Sequence, residues 1–256
     1  MKIIVIYLLV LASCSQIGKG KQPSEGKFIY SYSDVSGKFR YQRDVRFIKK
    51  KLVTRTQILV PSAGSDRVVE KSITVSQVGS VKDGGGRAFI VRPLASEFTV
   101  WLEGKKYSSK MHIDSAKKSM RVTLDSPEPK WKGESLIPFP QGKFFCFFTQ
   151  IPDCLYHNHI LSKSSEQKKH AFDFYVVWDN YPYVQDQLNN VGKNLFSHAS
   201  VRYDGEPKSK IRYIIEVEDQ VLIYQFNKNF ELTGYSWISQ GINVVEPGEE
   251  EKIEEE

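Results

Sequence analysis

His157-Asn158-His159 is the one place in the chain where two imidazoles stand two residues apart. On a β-strand, residues i and i+2 point to the same face, so His157 and His159 would share a metal ion, with Asp153 or His170 completing the set. A metal-dependent enzyme at His157/His159 is therefore one reading. Spacing fixes no third ligand, however, and two surface histidines on a loop or edge strand are the plainer reading. Cys146 and Cys154 lie eight residues apart across FCFFTQIPDC, with Pro152-Asp153 as a turn signal between them. In an oxidising compartment they would close a small loop as a disulfide, contributing about 2–3 kcal/mol through loop-closure entropy. Alternatively Cys146, set among Phe144, Phe145, Phe147 and Phe148, is a buried hydrophobe. No basic partner stands at a recognisable spacing, so neither thiol reads as a nucleophile.

Other short matches fail on context. Gly234-Tyr235-Ser236-Trp237-Ile238 approaches the hydrolase elbow G-x-S-x-G but ends in Ile238, and alternation runs straight through Ser236. That elbow needs a small final residue and a strand-to-helix turn. Ser36-Gly37-Lys38 lacks the upstream glycine of a phosphate loop, and Asp83 to Arg87 has glycines without a following helix; both read as hairpin turns. Glu216 and Glu218 share a strand face with Arg212 and Lys210 nearby, where solvated ion pairs suffice. No carboxylate pair has the setting that acid–base work requires. No cofactor is indicated.

What remains is aromatic surface. Aromatics make up 12 % of the chain, more than one compact core uses. Tyr30, Tyr32, Tyr41, Trp178 and Tyr213 are candidates for the wall of an apolar ligand cavity, the alternative being core filling. The elements that would position them are strands. Period-two alternation dominates from Lys27 onward: Phe28, Tyr30 and Tyr32; Phe39, Tyr41, Val45 and Phe47; Phe172, Phe174, Val176 and Trp178; Ile211, Tyr213, Ile215 and Val217. Turn signals such as Ser36-Gly37, Asp83 to Gly86, Glu103-Gly104 and Asp204-Gly205 separate the runs. Val184, Leu188, Val191 and Leu195 form a helical stripe, with Asn180 as its cap and Pro182 in its first turn, placing a helix at about 182–195. Residues 127–142, with four prolines, read as a long irregular loop or a seam between halves. The expected fold is mainly β: a curved antiparallel sheet or open barrel with one packed helix, in a single domain over 27–245.

The N-terminus suggests an address. Lys2, the apolar run Ile3 to Leu11 and then Leu11-Ala12-Ser13-Cys14 resemble the signal peptide and lipobox of bacterial lipoproteins. An apolar run this short suits a secretory signal and not a membrane-spanning helix. The resemblance implies removal of residues 1–13, acylation of Cys14 and attachment to a membrane. Ser15 after the cysteine, by the same resemblance, implies delivery to the outer membrane, facing the periplasm. Residues 14–26 then serve as a Gly- and Ser-containing tether. Residues 246–256 hold seven Glu and one Lys, a net −6, and read as a disordered tail. Without leader and tail the body carries +11, which favours envelope polyanions; nucleic acid is not an expected partner of an exported protein. In architecture alone, a half-closed barrel with a helix across its mouth resembles the periplasmic carriers of the lipoprotein-localisation pathway; no residue motif carries that likeness. The leading expectation is non-enzymatic binding of an apolar ligand, an acyl chain or an apolar protein segment. The alternative is an assembly lipoprotein docking an envelope partner through its loops, notably 127–142.

Overall fold

The computed structural model describes residues 25–247 except 84–85, 141, 168–169, 188–190 and 192–193. The leader, Cys14, most of the tether and the acidic tail beyond residue 247 lie outside the described residues. Fifteen strands form one sheet. They are β1 (Gly26–Asp34), β2 (Gly37–Ile48), β3 (Lys51–Val60), β4 (Arg67–Asp83), β5 (Gly86–Leu102), β6 (Lys105–Asp114), β7 (Ser119–Asp125) and β8 (Gly133–Pro138). After them come β9 (Phe145–Phe147), β10 (Phe172–Val177), β11 (Phe196–Gly205), β12 (Ile211–Val217), β13 (Gln220–Phe226), β14 (Leu232–Trp237) and β15 (Ile242–Val245). The order is β8-β7-β6-β5-β4-β3-β2-β1-β15-β14-β13-β12-β11-β10-β9, so two meanders meet where β1 pairs with β15. All pairings are antiparallel except that of β9 with β10.

Alternation built these strands as expected. Tyr30 and Tyr32 of β1 are buried, as are Tyr41 and Val45 of β2 and Tyr213, Ile215 and Val217 of β12. The sheet is curved and does not close into a barrel. Its end strands β8 and β9 are separated by residues 139–144 alone, at most roughly 25 Å of extended chain. Instead of a hydrogen-bonded ladder, a shared apolar cluster joins the ends: Met111, Ile113, Met120 and Val122 pack with Phe145, Phe147 and Val177. The Phe139 and Phe145 ring centroids stand 4.5 Å apart.

Four local expectations are corrected. The segment 127–142 is not one irregular loop, because residues 133–138 form β8 on the edge of β7. The helix expected at 182–195 is α3, Tyr183–Gln187, and Val191 and Leu195 are not helical. Leu195 instead accepts the Trp178 backbone N–H at 3.1 Å; Asn189, Asn190 and Gly192 are poor helix formers. Two unforeseen helices, here numbered ahead of α3 in chain order, follow the phenylalanine run: α1 (Ile151–His157) and α2 (Ile160–Glu166). Pro152 and Asp153 are the first turn of α1 and not a free turn, since proline there gives up no helical hydrogen bond. His157 therefore ends a helix, and the shared strand face proposed for His157 and His159 does not exist.

Gly234, first residue of the elbow-like motif, has a structural reason. A Cβ there would lie 2.5 Å from the Val244 carbonyl oxygen, so only glycine lets β14 approach β15 this closely. Ser236 of the same motif donates to Asn243 Oδ1 at 2.8 Å.

Candidate functional site

The inner face of β2 to β5 carries polar side chains where alternation would place apolar ones. Arg43, Thr54, Thr56, Ser72, Thr74 and Ser76 are all buried there. A buried polar group costs stability unless it is hydrogen-bonded, and α1 with the turn before it supplies the partners. Gln150 donates through Nε2 to Thr54 Oγ1 at 3.0 Å and accepts from Ser76 Oγ. Asn158 donates to the Val91 carbonyl at 2.9 Å and accepts the Val91 N–H at 3.2 Å. Arg43 forms an ion pair with Asp153. Burial pulls both groups toward neutrality while their attraction opposes it; for Arg43 the attraction of Asp153 and nearby tyrosines prevails and its pKa is raised. Arginine does not deprotonate in proteins, so the pair is ionic. Cys146 of β9 and Cys154 of α1 are joined in a disulfide with Cα atoms 5.8 Å apart, anchoring α1 at its other side.

Beside this latch lies a cavity of about 210 Å³, bounded by β1 to β5, by β13 to β15, and by the segments leading into α1 and α3. Its volume is room for roughly seven waters. Aromatic rings form much of its wall: Tyr32, Tyr41, Tyr224, Tyr235, Phe148 and Trp237. Tyr224 and Tyr235 stack at 5.2 Å between centroids, and Tyr41 meets Tyr235 edge-on at 6.5 Å. Ile58, Val100, Leu102, Val184, Leu232 and Ile242 add aliphatic surface.

Two carboxyls, Glu70 on the wall and Asp179 nearby, have no cation partner among the described residues. Glu70 of β4 is on the wall and is only partly exposed. Burial pushes its pKa up to about 7, and the charge of Asp179 adds to the rise. Asp179 is fully buried and accepts the Thr149 N–H at 3.0 Å and the Thr149 hydroxyl at 2.5 Å. Those donors favour its charged form, but burial outweighs them and pushes its pKa up to about 6. Asn180, also on the wall, has a buried Oδ1 with no hydrogen-bond partner.

Of the residues expected to line a cavity, Tyr32 and Tyr41 do so and three do not. Tyr30 packs behind Tyr41 at 5.8 Å, its hydroxyl donating to the Leu232 carbonyl at 2.8 Å. Trp178 is core: it stacks on Phe148 at 4.5 Å and donates from Nε1 to Ser197 Oγ at 2.8 Å. Tyr213 is core as well, its hydroxyl holding α2 through the Leu161 carbonyl at 2.8 Å. The difference is depth: Tyr30, Trp178 and Tyr213 are more deeply buried than Tyr32 and Tyr41. His157 packs edge-on against Phe47 at 5.5 Å, and burial lowers its pKa to about 4. Its Nε2 and that of His159 are buried without hydrogen-bond partners among the described residues. Among the described residues no three His, Cys, Asp or Glu side chains come together as a metal group.

Glu70 and Arg43 escaped the sequence reading. Arg43 could have been found, since it occupies the buried phase of β2 between Tyr41 and Val45. Glu70 gave no such signal, because Glu70, Ser72, Thr74 and Ser76 form an unbroken polar run in that phase of β4. No family model, curated protein or solved structure matches the chain.

Proposed function

We propose that this chain is an exported, lipid-anchored protein of the cell envelope, acylated at Cys14 and held at the outer membrane facing the periplasm. It binds an apolar ligand, an acyl chain or the apolar segment of another envelope protein, and catalyses no reaction. The observation that supports the binding role is the cavity: a concave space walled by rings and aliphatic side chains with a few polar groups is the usual form of a small-ligand site. Its size suits the end of a chain or a ligand of about a dozen non-hydrogen atoms.

Filling the space tests the reading without opening the core. Val184→Trp on α3 replaces a partly buried aliphatic side chain of the wall, at the edge of the Phe98, Val100, Tyr107 and Tyr183 cluster, with a bulky ring. Titration of the wild type with decanol, followed by intrinsic tryptophan fluorescence, is expected to saturate at one ligand per chain. The variant is expected to bind at least about tenfold more weakly. Equal binding by both proteins would overturn the reading. A second reading, docking of a protein partner at the sheet end, is favoured by Leu136 of β8, which is 68 % exposed on a terminal strand. Loss of a co-purifying partner on Leu136→Lys, with decanol binding unchanged, would select it.

A further inference from the structure

Among the described residues, the cavity wall carries one carboxyl, Glu70, that no cation answers. Its one cationic side chain among the described residues is Arg43, and Asp153 already neutralises it. Glu70 has no cation and no hydrogen-bond donor among the described residues. Asn180, 4 % exposed, adds a buried oxygen without a partner. The hydroxyls of Tyr41, Tyr224 and Tyr235 likewise have no protein partner among the described residues, and burial raises all three pKa values, so they stay neutral phenols. An uncompensated carboxylate in a low-dielectric space is costly to the fold, and its natural complement is a cation brought by the ligand. Aromatic faces reinforce that preference, because a desolvated ammonium is attracted to the ring quadrupole.

We infer that the ligand of this cavity carries a protonated amine beside its apolar body, the ammonium lying against the Glu70 carboxylate within the tyrosine wall. The inference rests on the apolar-binding reading above and narrows it to a chemical class, an amphiphilic amine. A carboxylate-headed ligand is disfavoured, since it would meet Glu70 and Asp179 with Arg43 already occupied. The groups facing Glu70 support the assignment from every side. Tyr32 of β1, Tyr41 of β2 and Tyr235 of β14 each feel its charge, Asp179 lies within electrostatic reach, and among the described residues no lysine or histidine lines the wall.

The pH dependence follows with a definite sign. Below about 7 Glu70 holds a proton and the attraction for an ammonium is absent. Above it the carboxylate is charged, while an alkylamine remains protonated up to roughly pH 10. Affinity for the amine therefore rises from pH 5 to pH 8, and affinity for a neutral alcohol does not.

Three probes of equal chain length separate the possibilities: decylamine, decanol and decanoate, titrated into the full chain at pH 8 with intrinsic tryptophan fluorescence as readout. Decylamine is expected to bind at least about tenfold tighter than decanol, and decanoate weakest. Glu70→Gln, nearly isosteric and uncharged, is expected to bring decylamine down to the level of decanol while decanol binding stays unchanged. If that variant does not fold, the wild-type pH profile alone decides, since a decylamine affinity flat from pH 5 to pH 8 contradicts the role of Glu70. Equal binding of all three probes would overturn the amine assignment and leave the apolar cavity standing. Binding of none would overturn both.

Discussion

The two halves of the sheet bury their inner faces by different chemistry. From β10 to β14 the inner face is apolar: Phe174, Val176, Val201, Ile215, Leu222 and Phe226 belong to one cluster closed by Trp178 and Trp237. From β2 to β6 the same face buries Arg43, Thr54, Thr56, Ser72, Thr74, Ser76 and Ser109 alongside its hydrophobes. The first half is held by area removed from water, which tolerates conservative exchange of side chains. The second is held by directional bonds to Gln150, Asp153 and Asn158, each of which must be met by a partner in place. The cavity lies where the two meet. Trp237 and Tyr224 come from the apolar half, and Arg43, Thr56 and Glu70 from the polar one. A site with rings on one wall and an uncompensated carboxyl on the other arises from that junction.

Substitutions that act on one half test the contrast, and the largest effect belongs to the apolar side. Trp178→Ala removes a fully buried ring and is expected to cost about 4 kcal/mol in urea unfolding. A cost below about 1 kcal/mol would mean the apolar half is not the stabilising core. On the polar side, Asp153→Leu leaves Arg43 buried and unpaired, at an expected cost of about 3 kcal/mol. The double variant Arg43→Met/Asp153→Leu is expected to regain most of that loss. If the double is no better than the single, the pair is not the isolated latch described here. Replacing Cys146 and Cys154 by alanine is expected to cost about 2–3 kcal/mol and to loosen α1 before the sheet, seen as faster amide exchange in 151–157. Uniform exchange across the chain would contradict an anchoring role.

The smallest effect is a difference in pH response. Glu70 has a folded pKa of about 7 against an unfolded value near 4.5, so the folded state holds the proton more tightly. Its contribution is harmless below pH 4.5 and becomes a penalty as pH rises through 7. Asp179 behaves alike with its folded pKa of about 6, and His157, at about 4, acts oppositely below its ordinary value. Comparison with Glu70→Gln cancels the contribution of His157, while that of Asp179, coupled to Glu70 by charge, is part of the difference. The variant's advantage over wild type is expected to grow between pH 4.5 and 7.5, reaching about 1–3 kcal/mol. An advantage independent of pH would show that Glu70 is not buried as described.

Legibility in the sequence followed the same division. β1, β10, β12 and β13 carry mostly apolar residues at every second position, as does β2 apart from Arg43, and the mainly β, curved, open sheet followed from them. On β3 and β4 the centre of the buried phase is Thr54, Thr56, Ser72, Thr74 and Ser76, with Leu52 at one end, and that polar centre reads as a solvent face until α1 is known to cover it. Helix α1 itself was hidden, because seven residues give two turns at most and FCFFTQI ahead of it reads as strand. Tyr32 and Tyr41 were legible as cavity wall, whereas Tyr30, Trp178 and Tyr213 carry the same signal and differ only in depth, which alternation does not encode. Glu70 was invisible for a related reason: its meaning comes from the cation it lacks, a property of the assembled wall.

Ligand-to-methyl nuclear Overhauser effects test the central claim most directly. With decylamine bound at saturating concentration, contacts are predicted from its chain to the methyls of Ile58, Leu102, Val184 and Leu232, and none to those of Met111 and Met120 in the neighbouring core. Contacts confined to exposed methyls such as Leu136, or no contacts at all, would contradict the account.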